Sequence, residues 1–150
     1  DVHHGNGTQE IFYDSPDVFF ISLHQYPFYP GTGALTETGR GKGEGFTRNF
    51  PLPAGTDGKY FRNIFNDEIL KILENFNPDI LFISAGFDAH KDDPLGGILL
   101  DENDFKYLTE LIVDYTDKKK IPLISVLEGG YNLNALAESV AAHISLLNKE

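Results

Sequence analysis

Cysteine, methionine and tryptophan are absent from this chain of 150 residues. Without cysteine there is no disulfide framework and no thiolate metal site, so any zinc must be held by imidazole and carboxylate. Basic residues are scarce: 12 Lys and Arg stand against 23 Asp and Glu, a formal charge of −11. That balance argues against a nucleic-acid partner, which needs a basic face, and is compatible with a basic peptide or polyamine substrate. No apolar run reaches the length of a membrane span and no signal peptide opens the chain, so no membrane partner is expected. The expected location is cytoplasmic, or nuclear in a eukaryote.

What is present is a folding sequence. Hydrophobic residues make up 41% of the chain, enough for one domain with a real core. Asp17 to Leu23, Asp79 to Ser84 and Ile121 to Leu127 are continuous apolar runs rich in β-formers, as in parallel strands covered on both faces. A helix is expected from about Tyr60 to Phe76, with Phe61, Phe65, Ile69, Ile72 and Phe76 three or four apart, ending at Asn77-Pro78. A second is expected from about Asp104 to Asp117, followed by Lys118-Lys119-Lys120, which suit the negative end of its dipole as a solvated cap. A third follows Asn132 as N-cap and carries Leu133, Leu136, Val140, Ile144 and Leu147. Strands alternating with helices imply an α/β fold, a parallel sheet flanked by helices.

In such sheets ligands bind beyond the carboxyl ends of the strands, and the chemically able residues gather at such ends. Asp1 and His3 alternate in an extended segment, so both can face one ion while Val2 points into a core. Ser84-Ala85-Gly86-Phe87-Asp88 ends one apolar run and Glu128-Gly129-Gly130-Tyr131 ends another. If the three ends lie side by side in one sheet, Asp1, His3, Asp88 and Tyr131 share a pocket. The long loop from His24 to Gly45 has alternating glycines but no Gly-Lys-Ser/Thr, so it is no phosphate cradle. Its Phe28 and Tyr29 are able to wall a pocket. His24 and His143 read as packed structural residues.

Six ordered stretches resemble the histone deacetylase superfamily, most of all its class II branch and bacterial relatives, including acetylpolyamine amidohydrolase and acetoin-utilisation-type proteins. They are Asp-Val-His-His-Gly-Asn-Gly-Thr-Gln (1–9), Ser-Leu-His (22–24), Phe-Tyr-Pro-Gly (28–31), Ser-Ala-Gly-Phe-Asp (84–88), Asp-Pro-Leu-Gly-Gly (93–97) and Glu-Gly-Gly-Tyr-Asn (128–132). The resemblance implies the arginase/deacetylase fold and hydrolysis of acyl-lysine or related acylamide bonds. It implies zinc on Asp1, His3 and Asp88, and Tyr131 as the catalytic tyrosine. It implies a K+ or Na+ ion held by Ser22 and Leu23 with Asp1 and the His3 carbonyl, and a second cation near Phe12, Ser15, Val18 and Phe46. Tyr29, Leu95 and Gly130 match positions that contact substrate, an acetyl-lysine peptide or an acetylated small amine.

One departure from the family pattern bears on activity. The family's tandem histidine base is absent, and His3-His4 does not replace it, because His3 is committed to the metal. Residues 1–150 are therefore expected to be the C-terminal portion of one catalytic domain, partnered by the missing N-terminal half and inactive or nearly so alone. Two alternatives stand beside this. Asp88, His90 and Asp92 have the spacing of an arginase-like binuclear manganese hydrolase, and the fold also suits a non-catalytic acyl-lysine binding module.

Overall fold

A computed structural model describes residues 1–148. The chain divides into two compact units, residues 2–54 and residue 1 with residues 55–150.

In the unit of residues 2–54, α1 (Asn6–Phe12) precedes β1 (Phe20–Gln25), which pairs in parallel with β2 (Thr47–Leu52), Phe20 opposite Thr47. The Val2 carbonyl accepts the Gln25 N–H at 2.9 Å, and Val2 is 1% exposed, buried as its alternation with Asp1 and His3 predicts. Sequence reading missed both α1 and β2. The helix α1 is seven residues long, contains Gly7 and has no side-chain cap, so its propensity is poor. The strand β2 contains Asn49 and Pro51, both unfavourable in strands, and pairing with β1 overrides that preference. The long loop is organised by Glu37, whose carboxylate accepts N–H bonds from Gly33 and Ala34 and the side-chain amide of Gln9.

In the unit of residues 55–150, α2 (Gly58–Ile64), a π-helical turn (Phe65–Ile69) and α3 (Leu70–Phe76) lead to β3 (Leu81–Ala85). Then follow α4 (Glu102–Lys119), β4 (Leu123–Leu127) and α5 (Leu133–Leu147). The single helix expected from Tyr60 to Phe76 is thus interrupted. The Asn66 side chain donates to the Arg62 carbonyl at 2.9 Å, competing for an acceptor that a regular helix would use. Asp101 and Asp104 form a reciprocal capping box at the start of α4. Lys119 is tied more firmly than a solvated cap would be: its ammonium lies 2.6 Å from Glu74. The core joins Phe87 to Phe105 edge-on at 5.1 Å and is filled by Ile98, Leu100, Leu108 and Val113. Tyr115 donates to the Leu73 carbonyl at 2.8 Å, fixing α4 to α3.

The parallel pairing and flanking helices are those expected of an α/β fold, but the described strands hydrogen-bond as two separate pairs, β1–β2 and β3–β4. In β3–β4, Phe82 sits opposite Ile124 and Ser84 opposite Val126. This face is open: Phe82 is 63% exposed and Val126 52%. Parallel strands are ordinarily covered on both faces.

Candidate metal and acyl site

The parallel register of β3 and β4 delivers Gly86-Phe87-Asp88 and Gly129-Gly130-Tyr131 side by side at one end of the pair. The Phe87 N–H donates to the Gly129 carbonyl at 2.7 Å, and the Glu128 N–H to the Ala85 carbonyl at 3.0 Å. Asp1 joins this end. Its main-chain nitrogen donates to the Gly86 carbonyl at 3.2 Å, and its Oδ2 accepts the Gly129 N–H at 3.0 Å. Two glycines make this approach possible. A Cβ on Gly86 would lie 2.5 Å from Asp1 Oδ2, and one on Gly129 would collide with Asp88 Oδ2 and lie 2.6 Å from Asp1 Oδ2. The backbone at 86 and 129 is therefore a floor on which two carboxylates rest, and any larger residue would displace them.

Asp88 is fully buried. Asp1 and Asp88 thus bring two carboxylates together on Gly129 within one unit, and His3 follows Asp1 by two residues in the sequence. The His3 ring stacks on Phe28 at 5.3 Å between centroids and meets Tyr29 edge-on at 6.1 Å. Two carboxylates and an imidazole are a hard and borderline donor set without sulfur. The donor types fit a divalent ion.

Tyr131 is half-exposed, and its main chain is fixed on both sides. Gly130 takes φ +146°, a conformation L side chains rarely adopt, and a Cβ there would lie 2.7 Å from Leu136 Cδ1. The Tyr131 N–H donates to Asp93 Oδ2 at 2.7 Å. Tyr29 and Leu95 are both largely exposed apolar side chains.

The histidines divide by surroundings. His90 Nδ1 accepts the Asp92 N–H at 3.1 Å, its ring lies parallel to Phe105 at 6.5 Å, and Asp92 is exposed. No ligand group among the described residues includes His90 or Asp92, so the arginase-like spacing is not realised as a site. His24 Nε2 donates to the Gly33 carbonyl at 2.9 Å, which leaves Nδ1 to accept from the Ser22 hydroxyl at 3.0 Å; burial depresses its pKa to about 4. His143 bridges the Thr109 and Ser125 hydroxyls at 2.7 and 2.8 Å, and burial lowers its pKa too. Both are structural. Sequence reading singled out no role for Asp93 or Glu37; each lies in a loop where its carboxylate accepts main-chain N–H groups, a pattern that no periodicity signals.

Comparison with known proteins establishes the family. The histone deacetylase domain model matches residues 1–147. The chain is 45% identical over 142 residues to histone deacetylase 10, chloroplastic, of Oryza sativa subsp. japonica, covering 94% of this chain and 32% of the relative. It is 43% identical to a probable deacetylase of Archaeoglobus fulgidus, covering 89% of this chain and 37% of the relative. Among solved structures, the HDA15 HD domain superposes with TM-score 0.92 at 43% identity, over 99% of this chain and 44% of that one. The acetylpolyamine aminohydrolase of Burkholderia pseudomallei gives 0.90 at 36%, over 97% of this chain and 42% of that one. The chain belongs to the histone deacetylase family and has its α/β fold. It spans less than half the length of each of these relatives.

Proposed function

We propose that this chain is the C-terminal, metal-binding portion of a deacetylase domain that removes acyl groups from lysine side chains or related acylamines. The observation that carries this reading is the convergence of the Asp1 and Asp88 carboxylates on Gly129, with Tyr131 two residues beyond. Asp1, His3 and Asp88 would hold zinc, which supplies a Lewis acid for the amide carbonyl and lowers the pKa of a water. Tyr131 donates its hydroxyl hydrogen to the oxyanion that develops on the acyl oxygen. Gly130, next to Tyr131, would meet the substrate through its backbone. Tyr29 and Leu95 give apolar surface for the methylene stem of a lysine or polyamine. Ser22 and Leu23, with Asp1 and the His3 carbonyl, would hold K+ or Na+ and brace the segment that presents the zinc ligands. The general base comes from the remainder of the domain. The open apolar face of Phe82, Ile124 and Val126 supports such a remainder.

The test is metal content and acetyl-lysine hydrolysis, measured on this chain and on the longer protein containing it. The expected result is one zinc per chain and turnover only in the longer protein, where Asp88→Ala abolishes both zinc and turnover. Tyr131→Phe is expected to keep the zinc and lose on the order of 10²- to 10³-fold in kcat. Two manganese ions per chain, no metal, or full activity in the short chain would each overturn the reading. Tight binding of an acetyl-lysine peptide without hydrolysis would replace it with a binding module.

A further inference from the structure

We propose that Asp93 is a positioning residue, one that sets the reach of the Tyr131 hydroxyl by clamping the main chain of its loop; the inference rests on the role given above to Tyr131. The Asp93 carboxylate is buried, 7% exposed, and its two oxygens are divided between two loops. Oδ2 accepts the N–H groups of Tyr131 at 2.7 Å and Asn132 at 3.3 Å. Oδ1 accepts the N–H of Leu95 at 2.9 Å. A second tie runs alongside: the Asn132 side-chain amide donates to the Asp92 carbonyl at 2.9 Å. Asp93 is in turn joined to the Asp88 loop, since its own N–H donates to the His90 carbonyl at 2.9 Å and the His90 N–H donates to the Phe87 carbonyl at 3.2 Å.

The physical logic is that of a short, charged staple. Bonds from N–H groups to a carboxylate are stronger than neutral ones, and a buried carboxylate is tolerated because its oxygens are satisfied. One side chain thereby holds the Cα of Tyr131 and that of Leu95 in fixed relation to the strand end carrying Asp88. Misplacing a catalytic group by about 1 Å can cost on the order of 10²-fold in rate. An asparagine offers one acceptor oxygen, and its NH2 faces N–H groups that need an acceptor. It can serve Leu95 or the Tyr131–Asn132 pair, but not both.

The experiment is a double-mutant cycle in the longer protein, with Asp93→Asn and Tyr131→Phe made singly and together. It is read as kcat and KM per zinc-loaded site, alongside hydrogen exchange of the Tyr131 and Asn132 amides. The expected result is that D93N lowers kcat on the order of 10- to 100-fold with KM changed less than about threefold. Exchange at residues 131 and 132 accelerates while the middle of α5 is unchanged, and the double variant is within about twofold of Y131F, since the two act as a unit. If the losses multiply in the double variant, or exchange at 131 and 132 does not change, the inference is overturned while the role of Tyr131 stands. If Y131F itself keeps wild-type kcat, the Tyr131 reading falls and this inference falls with it. Should D93N not fold or not load metal, Asp93→Glu enters the same cycle. It keeps charge and acceptor count but moves the oxygens by one methylene, and it must show the same non-additive loss in kcat or the inference fails.

Discussion

The two compact units reach order by different means. In residues 55–150 apolar side chains outnumber polar ones in the interior: Phe61, Ile69, Leu73, Phe87, Ile98, Leu100, Phe105, Leu108 and Val113 are buried, with Asp88, His90, Asp93, Asp104 and His143 set beside them. In residues 2–54 the buried apolar residues are Val2, Phe50 and Leu52, and the rest of the interior is His4, Gln9, Ser22, His24, Gln25, Thr47 and Asn49. Among them His4, Gln9 and Asn49 are wired to one another, and Ser22 to His24. His4 Nε2 donates to Gln9 Oε1 at 2.9 Å, which obliges His4 Nδ1 to accept from Thr32; Gln9 Oε1 also accepts from Asn49, and the Gln9 amide donates to Glu37. Apolar burial is stabilising whatever the fine geometry, whereas a buried network is stabilising only when each member is satisfied. The first unit should therefore respond to lost volume and the second to a lost acceptor.

The largest effect is expected at the apolar centre. Phe105 touches Phe87 edge-on and lies parallel to His90. Phe105→Ala should cost about 3–5 kcal/mol through lost contact and the cavity left behind. It should reach the Asp88 loop as well, because Phe87 is the residue before Asp88. Chemical denaturation measures the loss. A cost near zero would mean that this interior is not the tightly packed one described.

An acceptor is the thing to remove in the other unit. Glu37→Gln keeps volume but turns one oxygen into an NH2 facing the N–H groups of Gly33 and Ala34 and the Gln9 amide. The expected cost is about 1–3 kcal/mol at neutral pH. The pH dependence has a definite sign. Burial alone would raise the Glu37 pKa, but the N–H donors of Ala34, Gln9 and Gly33 outweigh it and bring it below the ordinary 4.5. A carboxylate depressed in the folded state adds stability that is complete above 4.5 and is lost as pH falls through the folded value. Denaturation midpoints against pH should thus fall in acid, and the E37Q variant should show a shallower fall. An unchanged slope would remove Glu37 from the network's centre.

The same contrast explains what could be read before any coordinates. The strands β3 and β4 and the helices α4 and α5 announce themselves through apolar runs, 3.6-residue spacing and, for α5, the cap at Asn132, because apolar burial leaves a periodic trace; the capping box at Asp101 that starts α4 was not read from the sequence. The residues proposed for metal and tyrosine chemistry were picked out for another reason: Asp1, His3, Asp88 and Tyr131 stand in short stretches of distinctive composition. The strand β2, the helix α1, the break at Phe65–Ile69 and the clamp at Asp93 left no such trace. Each depends on a polar contact or strand pairing between segments distant in sequence or on local competition for one carbonyl, which spacing within a window does not encode.

The smallest effect tests whether every ion pair near the network belongs to it. Arg40 makes two hydrogen bonds to Asp14, from Nε at 2.8 Å and from Nη2 at 2.6 Å, and its guanidinium lies 6.0 Å from the Tyr13 ring centroid. The geometry is bidentate, yet the side chains are 72% and 61% exposed. Exposed pairs gain little because water screens them and ordering two long side chains has an entropic cost. What holds the glycine-rich loop here is main chain instead: the Arg40 N–H donates to the Tyr13 carbonyl at 2.8 Å, a bond that survives truncation of the side chain. Arg40→Ala should therefore leave the denaturation midpoint unchanged within reproducibility at physiological salt. A loss comparable to that of E37Q would show that the charged surface of residues 2–54 is part of the same cooperative network as its interior, and the contrast between the two units would have to be redrawn around charge rather than burial.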